Sequence, residues 1–354
     1  MSSSFASRPG AVGDPPQHYG NPLAEQKALA AGRAIVDLSD RAVLTVTGSD
    51  RLSWLDSLTS QAVSKLAPGE SAETLLLDPS GHIEHAMRLV DDGVSTWLLV
   101  DGAEGPPLLA WLDRMRFTLR VEVADRSDDL VTIGTLGADV PAAAPNDVAL
   151  DWADPWANVV AGGHQYAQAE PHPGSEWTYH EILVDRGADL SAFEAAGALA
   201  LEALRIAAWR PRLVTEADEK AIPHEFDWLR SAVHLAKGCY RGQETVAKVH
   251  NLGHPPRRLV MLHLDGSDGV LPDRGAEVRL DETVVGAITS VALHYELGPI
   301  ALALIKRNVD PAATLIVDAG GLAVAATQET IVPTDAGAEA NVPKLPRLGA
   351  VKRA

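Results

Sequence analysis

Cysteine is nearly absent: 354 residues contain one, Cys239. That thiol has no partner for a disulfide within the chain and cannot furnish the four thiolates of a typical iron–sulfur site, so any cluster or metal role needs ligands from elsewhere. Basic residues are also scarce, with 30 Lys and Arg against 48 Asp and Glu and a formal net charge of −18. A surface this acidic repels nucleic acid and anionic membranes, which argues against both as partners. No apolar run approaches the roughly 18 residues that a membrane span requires, and the N-terminus lacks a basic region followed by an apolar core. A cytoplasmic protein is expected, and one cysteine suits a reducing compartment. Neither Gly-x-Gly-x-x-Gly nor Gly-x-x-x-x-Gly-Lys-Ser/Thr occurs, so a nucleotide fold has no positive signal.

What remains is ordinary globular material, 46% hydrophobic and 22% charged, long enough for two or three domains. Residues 1–22 and 333–354, rich in Pro, Gly, Ser or Ala, read as flexible tails. From Ala34 onward the pattern is globular. Ala42–Thr47 alternates as a strand, and Gly48-Ser49-Asp50 introduces a helix that Ser49 or Asp50 can cap. Strands at 74–77, 83–90 and 96–100 are separated by the turn signals Pro79-Ser80-Gly81 and Asp91-Asp92-Gly93. A helix over 107–115 and strands at 119–123 and 130–133 complete a first α+β lobe, about 34–140. Residues 138–155 read as a surface connection. A second lobe over 156–255 holds extended stretches at 156–168 and 178–185 and a long Ala-rich helix over 190–209, stopped by Pro211. After Gly253-His254-Pro255-Pro256, short β runs over 256–332 predict a C-terminal all-β barrel.

Histidine pairs suggest little metal chemistry. His250 and His254 have the i,i+4 spacing of a zinc pair, but Gly253 and Pro255 interrupt any helix there and the general-base Glu of His-Glu-x-x-His is missing. His82 and His85 sit three apart in a strand and face opposite ways. No metal site is assigned. His224 or His234 could serve Cys239 as a base only if the fold brings them together.

The segment Lys237-Gly238-Cys239-Tyr240-Arg241-Gly242-Gln243-Glu244 concentrates the candidate chemistry. A thiolate is favoured by nearby cations and by a helix N-terminus, and here Lys237 and Arg241 flank Cys239 while residues 242–249 have helix-forming composition, with Glu244 in the first turn. Against this stands the common behaviour of a free cysteine as a small buried hydrophobe. Gly242 permits close backbone approach, and Gln243 and Glu244 either meet a ligand's polar groups or simply start the helix.

This segment is identical to the Lys-Gly-Cys-Tyr-x-Gly-Gln-Glu signature of YgfZ-type folate-binding proteins, relatives of the glycine-cleavage T-protein, an aminomethyltransferase. The resemblance runs from about Ala34 to Thr330 and includes Asp37-Leu38-Ser39, Val46-Thr47-Gly48-Ser49-Asp50-Arg51, Ala203-Leu204-Arg205-Ile206, Pro223-His224-Glu225 and Arg257-Arg258-Leu259. It implies an α+β, three-lobed T-protein-like fold, a folate-binding region of two α+β lobes over 23–255 with a C-terminal β-barrel, and tetrahydrofolate or a one-carbon derivative held non-covalently in a central channel. It also implies a role in assembling or maintaining iron–sulfur clusters, with folate and client or assembly proteins as partners. Cys239 and Lys237 are then the candidate reactive residues, and Arg205, Tyr240, Arg241, Gly242, Gln243 and Glu244 the candidate folate contacts.

Two departures separate this chain from the T-proteins. Their acid pair aligns with His85 and Ala86, so the carboxylate needed for aminomethyl transfer is missing, a group worth roughly 10²–10⁴ in rate. Glu84 should face the other side of the strand. The pterin-reading glutamate of the T-proteins is Ala207 here. Three functions therefore stand: a folate-binding accessory protein for iron–sulfur clusters using the thiol, a tetrahydrofolate-dependent one-carbon transferase, and a non-catalytic folate-sensing interaction module.

Overall fold

The two turn signals at 79–81 and 91–93 build the first sheet. Gly81 and Gly93 take φ of +86° and +89°, backbone that glycine adopts without a Cβ clash. The Asp91 and Asp92 carboxylates accept the N–H groups of Gly93, Val94 and Ser95. The computed structural model, which describes residues 5–267 and 269–340, thus has an antiparallel sheet in the order Ser71–Leu77, Ile83–Asp91, Ser95–Val100, Ala42–Thr47, Glu122–Asp125. Helices Arg51–Leu58 and Gly105–Met115 cover one face through Leu55, Leu108 and Leu112, packed with Leu44, Met87 and Leu98. Asp50 is the N-cap residue but makes no capping bond; its carboxylate binds Arg120 instead.

The second sheet corrects the expected division into lobes. Its order is Asp151–Ala153, His180–Asp185, Leu130–Thr135, Ala34–Asp37, Glu194–Ala196. Ala34–Asp37 and Leu130–Thr135, assigned from sequence to the first lobe, pair with each other and with this sheet. Strand periodicity marks a strand but not its neighbours. Asp151–Ala153 lies inside the stretch read as a connection, and 156–168 is irregular rather than extended. The long helix is shorter than expected, Ala198–Ala207, because the preceding Glu194–Ala196 is drawn into a parallel pairing with Ala34–Val36.

The expected N-terminal tail is packed from Phe5 onward. Phe5 is buried, Arg8 donates to the carbonyls of Phe193 and Leu190, and Val12–Gly13 pairs with Pro16–His18. Glu25, in helix Pro22–Ala30, fastens this segment by accepting the N–H groups of Tyr19, Asn21 and Gly197. At the other end, Ala336 is buried and the N–H groups of Ala338, Glu339 and Ala340 meet the carbonyls of Val249, His250 and Asn251. The rest of the expected C-terminal tail, 341–354, lies outside the described residues. The C-terminal barrel is closed, with six strands in the order Arg257–Leu264, Gly298–Lys306, Thr283–His294, Glu277–Leu280, Leu315–Ala319, Leu322–Thr330. Among the described residues no helix is long and apolar enough to cross a membrane.

Where sheets, helix and barrel meet, the filling is ionic. Arg210 donates to Glu73 of the first sheet at 2.6 Å and to Asp154 at 2.9 Å. Glu73 also accepts Trp228 Nε1 at 3.0 Å and Ser231 Oγ at 2.6 Å. Arg205 commits all five of its N–H groups to Glu202, Glu216, the Arg210 carbonyl and Ser290 Oγ of the barrel. Burial opposes the charge of Arg205 and Arg210, but their carboxylates overcome it and hold both pKa values above the ordinary arginine range.

Removing one member of such a network strands buried charge. Arg210→Ala is expected to cost about 3–5 kcal/mol by leaving Glu73 and Asp154 without their cation. Urea unfolding checks this; a loss below about 1 kcal/mol would show that the network does not support the junction.

Candidate functional site

The signature segment folds as a loop clamped between its two ends. The Lys237 side chain is buried and its ammonium donates to the carbonyls of Asp56 at 2.6 Å, Thr59 at 2.8 Å and Gln61 at 2.6 Å. Burial lowers its pKa and Asp56 opposes that shift. Three donors on three carbonyls leave no N–H for a thiolate. Tyr240 is buried, with Lys237 Nζ 5.4 Å from its ring centroid, and burial raises its phenol pKa. Gly242 has φ of +82°, and a Cβ there would lie 2.6 Å from the Asp78 carbonyl and 3.1 Å from Gly81 Cα. The motif glycine is therefore required by contact with the strand-connecting turn of the first sheet.

The helix starts later than the sequence suggests, at Gln243 and running to Leu252. Cys239 lies four residues before it, outside the first turn where the helix dipole acts. Arg241 pairs with Glu84 and lies 5.8 Å from the Trp111 ring. Both cations expected to favour the thiolate thus have other partners. Cys239 itself is exposed, so the buried-hydrophobe alternative does not hold. Gln243 Nε2 reaches back to the Lys237 carbonyl at 3.5 Å, and Glu244 is an exposed first-turn acid.

The remaining candidates disperse. Arg205 belongs to the junction network described above, with no N–H left for a ligand. His224 is fully enclosed, with Nε2 3.1 Å from the Val246 carbonyl, and burial pushes its pKa down to about 3. His234 accepts the Ala236 N–H. Among the described residues no hydrogen bond joins either histidine to Cys239. His250 meets Tyr166 and His254 meets the Ala336 carbonyl, so the pair does not converge. Ala86 and Ala207 are each partly buried against the main core. Sequence spacing could not show the pairing of His85 Nδ1 with Glu104 at 2.6 Å, nor that of Arg241 with Glu84, because each joins separate elements.

A small polar cavity of about 30 Å³ opens beside the junction network, lined by Arg41, Arg88, Trp177, Tyr179, Glu181 and Arg212 among others. Three of its lining residues carry buried side-chain atoms without hydrogen-bond partners, Arg41 Nε, Arg88 Nη1 and Glu181 Oε2.

Comparison with known proteins accords with this architecture. The GCVT N-terminal domain matches residues 14–144 and the glycine cleavage T-protein C-terminal barrel domain matches 257–333. The chain is similar to an aminomethyltransferase of Nostoc sp., 27% identical over 83% of this chain and 82% of that protein. It is similar to the tRNA-modifying protein YgfZ of Escherichia coli O157:H7, 25% identical over 73% of this chain and 81% of that one. An iron–sulfur cluster assembly factor IBA57 homolog of Mycosarcoma maydis is 24% identical over 63% of this chain and 55% of its own length. Among solved structures, the glycine cleavage system aminomethyltransferase T of Bartonella henselae shares the fold, with a TM-score of 0.69 and 17% identity over 93% of this chain and 96% of that one.

Two measurements test the geometry. Gly242→Ala is expected to destabilise by about 2–4 kcal/mol, from a left-handed backbone plus overpacking against Asp78; unchanged urea midpoints would refute the clamped loop. For His224, a folded-state pKa near 3 against about 6.5 unfolded means stability is complete above pH 6.5 and is lost as pH falls toward 3. Between pH 7.5 and 5.5 the protein should lose about 1 kcal/mol more than His224→Gln, and identical pH dependence would show that the imidazole protonates freely in the fold.

Proposed function

Because the chain belongs to the glycine-cleavage T-protein family as a YgfZ-type relative, we propose that it is a folate-binding accessory protein for assembling or repairing iron–sulfur clusters in client enzymes, with Cys239 as its reactive group. The observation that carries this reading is the exposure of the chain's one thiol on a loop whose neighbours are locked. Free cysteines are usually buried, so an exposed one on a loop clamped at Lys237 and Gly242 is positioned for an incoming molecule. The names of the relatives lend support: one is an iron–sulfur cluster assembly factor, another a tRNA-modifying protein. Ala86 in place of the T-protein carboxylate weighs against aminomethyl transfer, since Glu84 is turned to Arg241. For folate, the fit on this structure rests on three residues lining the small cavity, Arg41, Arg88 and Glu181, whose unpaired buried donors and acceptor are of the kind that a polar ring edge pairs with.

One observation favours the non-catalytic module: the cations that flank the thiol in sequence hold other partners. The two readings part on one substitution. In a strain lacking this protein, wild type should restore the activity of iron–sulfur enzymes and Cys239→Ser should leave it about tenfold lower at equal protein level. Full restoration by Cys239→Ser removes the thiol from the mechanism and leaves the docking module.

A further inference from the structure

Phe117 is 79% exposed, more than any other large apolar side chain among the described residues. Its backbone takes φ of +45°, a left-handed conformation that a bulky side chain adopts only under strain. Trp209 shares that conformation but is buried in the main core, where packing offsets the strain. Phe117 combines strain with wetted apolar surface and gains no burial in the chain itself, which points to a contact made outside it.

The surroundings select the partner. Segment 114–120, Arg-Met-Arg-Phe-Thr-Leu-Arg, holds three arginines and no acid in a chain of net charge −18. It leaves the end of helix Gly105–Met115 in a turn closed by the Leu119 N–H on the Arg116 carbonyl at 2.9 Å, and Leu119 is exposed as well. Asp113 meets Arg116 at 2.9 Å and Asp50 meets Arg120 at 2.6 Å, while Arg114 is exposed and makes no ion pair with a described residue. Exposed ion pairs are weak and each guanidinium has five donors, so all three arginines keep N–H groups for incoming carboxylates. Three cations around an apolar projection fit an apolar pocket rimmed by acids. A nucleic acid gains little from three phosphate contacts on so acidic a protein. A two-fold dimer through this face sets arginine against arginine.

We propose that segment 114–120 is the docking surface for a separate acidic protein, with Phe117 entering an apolar pocket of that partner and Arg114, Arg116 and Arg120 meeting the carboxylates around it. This deepens the accessory-protein reading above and rests on it for the partner's link to iron–sulfur clusters. The surface lies near the exposed thiol. Trp111, on the same helix, is the ring beside which Arg241 of the signature loop sits, at 5.8 Å. Six residues at about 1.5 Å each set Phe117 roughly 9 Å farther along. A standard interface covers about 800 Å² on each partner, enough to span both Phe117 and the loop of Cys239. An acidic partner is repelled by most of this protein and attracted here, so the patch also sets its orientation.

Photo-crosslinking in cells tests this, with Phe117→p-benzoylphenylalanine and, as control, Leu322→p-benzoylphenylalanine, 47% exposed on the barrel. The expected result is a protein adduct at 117 that is absent at 322 and falls at least tenfold when Arg114→Glu and Arg116→Glu are added, at unchanged melting temperature. The partner so identified, once purified, should bind wild type at least tenfold more tightly than Phe117→Ser, with affinity falling as salt is added. No adduct at 117 above the control, an adduct indifferent to the arginine variants, an adduct to RNA, or one to a second copy of this chain each overturns the inference. If the partner binds as expected but neither carries nor assembles an iron–sulfur cluster, the inference stands and the iron–sulfur reading falls. If no adduct forms while Cys239→Ser still fails to restore iron–sulfur enzymes, the inference falls and that reading stands.

Discussion

Arg210 is the constraint on which the rest of the structure depends. Its guanidinium ties Glu73, in the first sheet, to Asp154, beside the second, and stacks over Trp156 at 5.2 Å. Arg230 lies 4.7 Å from the same indole, whose Nε1 donates to the Ala208 carbonyl at the end of the long helix. Arg205 carries the network into the barrel through Ser290. Buried ion pairs are poor sources of net stability, but removing one partner is severe, so such a junction specifies how the parts sit more than how tightly they hold. The lobes and the barrel can be apolar inside and still meet in only one arrangement.

That arrangement determines what the signature loop can do. Lys237 anchors to carbonyls of the first lobe, Gly242 sits against the Asp78–Gly81 turn, and the 336–340 segment covers the last carbonyls of helix Gln243–Leu252. Most of the motif is therefore explained by packing. Cys239 is the exception, exposed between a buried lysine and a buried tyrosine. Under the proposed function, chemistry at the loop rests on the thiol together with whatever docks on it.

Local signals were legible and long-range ones were not. The hairpin turns with Gly81 and Gly93, the end of the long helix ahead of Pro211 and the barrel's short strands follow from residues close in sequence. The membership of Ala34–Asp37 in the second sheet does not, because its partners lie about a hundred residues and more away, at Ile133–Thr135 and Glu194–Ala196. The N-terminal segment read as a tail because its composition is Pro- and Gly-rich, yet Glu25 and Arg8 hold it in place. At the site, two cations flanking a cysteine suggested an activated thiolate. Their long side chains instead reach Asp56 and Glu84, 181 and 157 residues away in sequence. Flanking position in sequence is not contact in space.

The central claim, that a rigid ionic junction presents Cys239 as an accessible thiol on a locked loop, is tested most directly by the rate of its alkylation with iodoacetamide in native and urea-unfolded protein. The account predicts stoichiometric labelling of the native protein at a rate within about tenfold of the unfolded chain at the same pH. Protection by a hundredfold or more in the native state would contradict it.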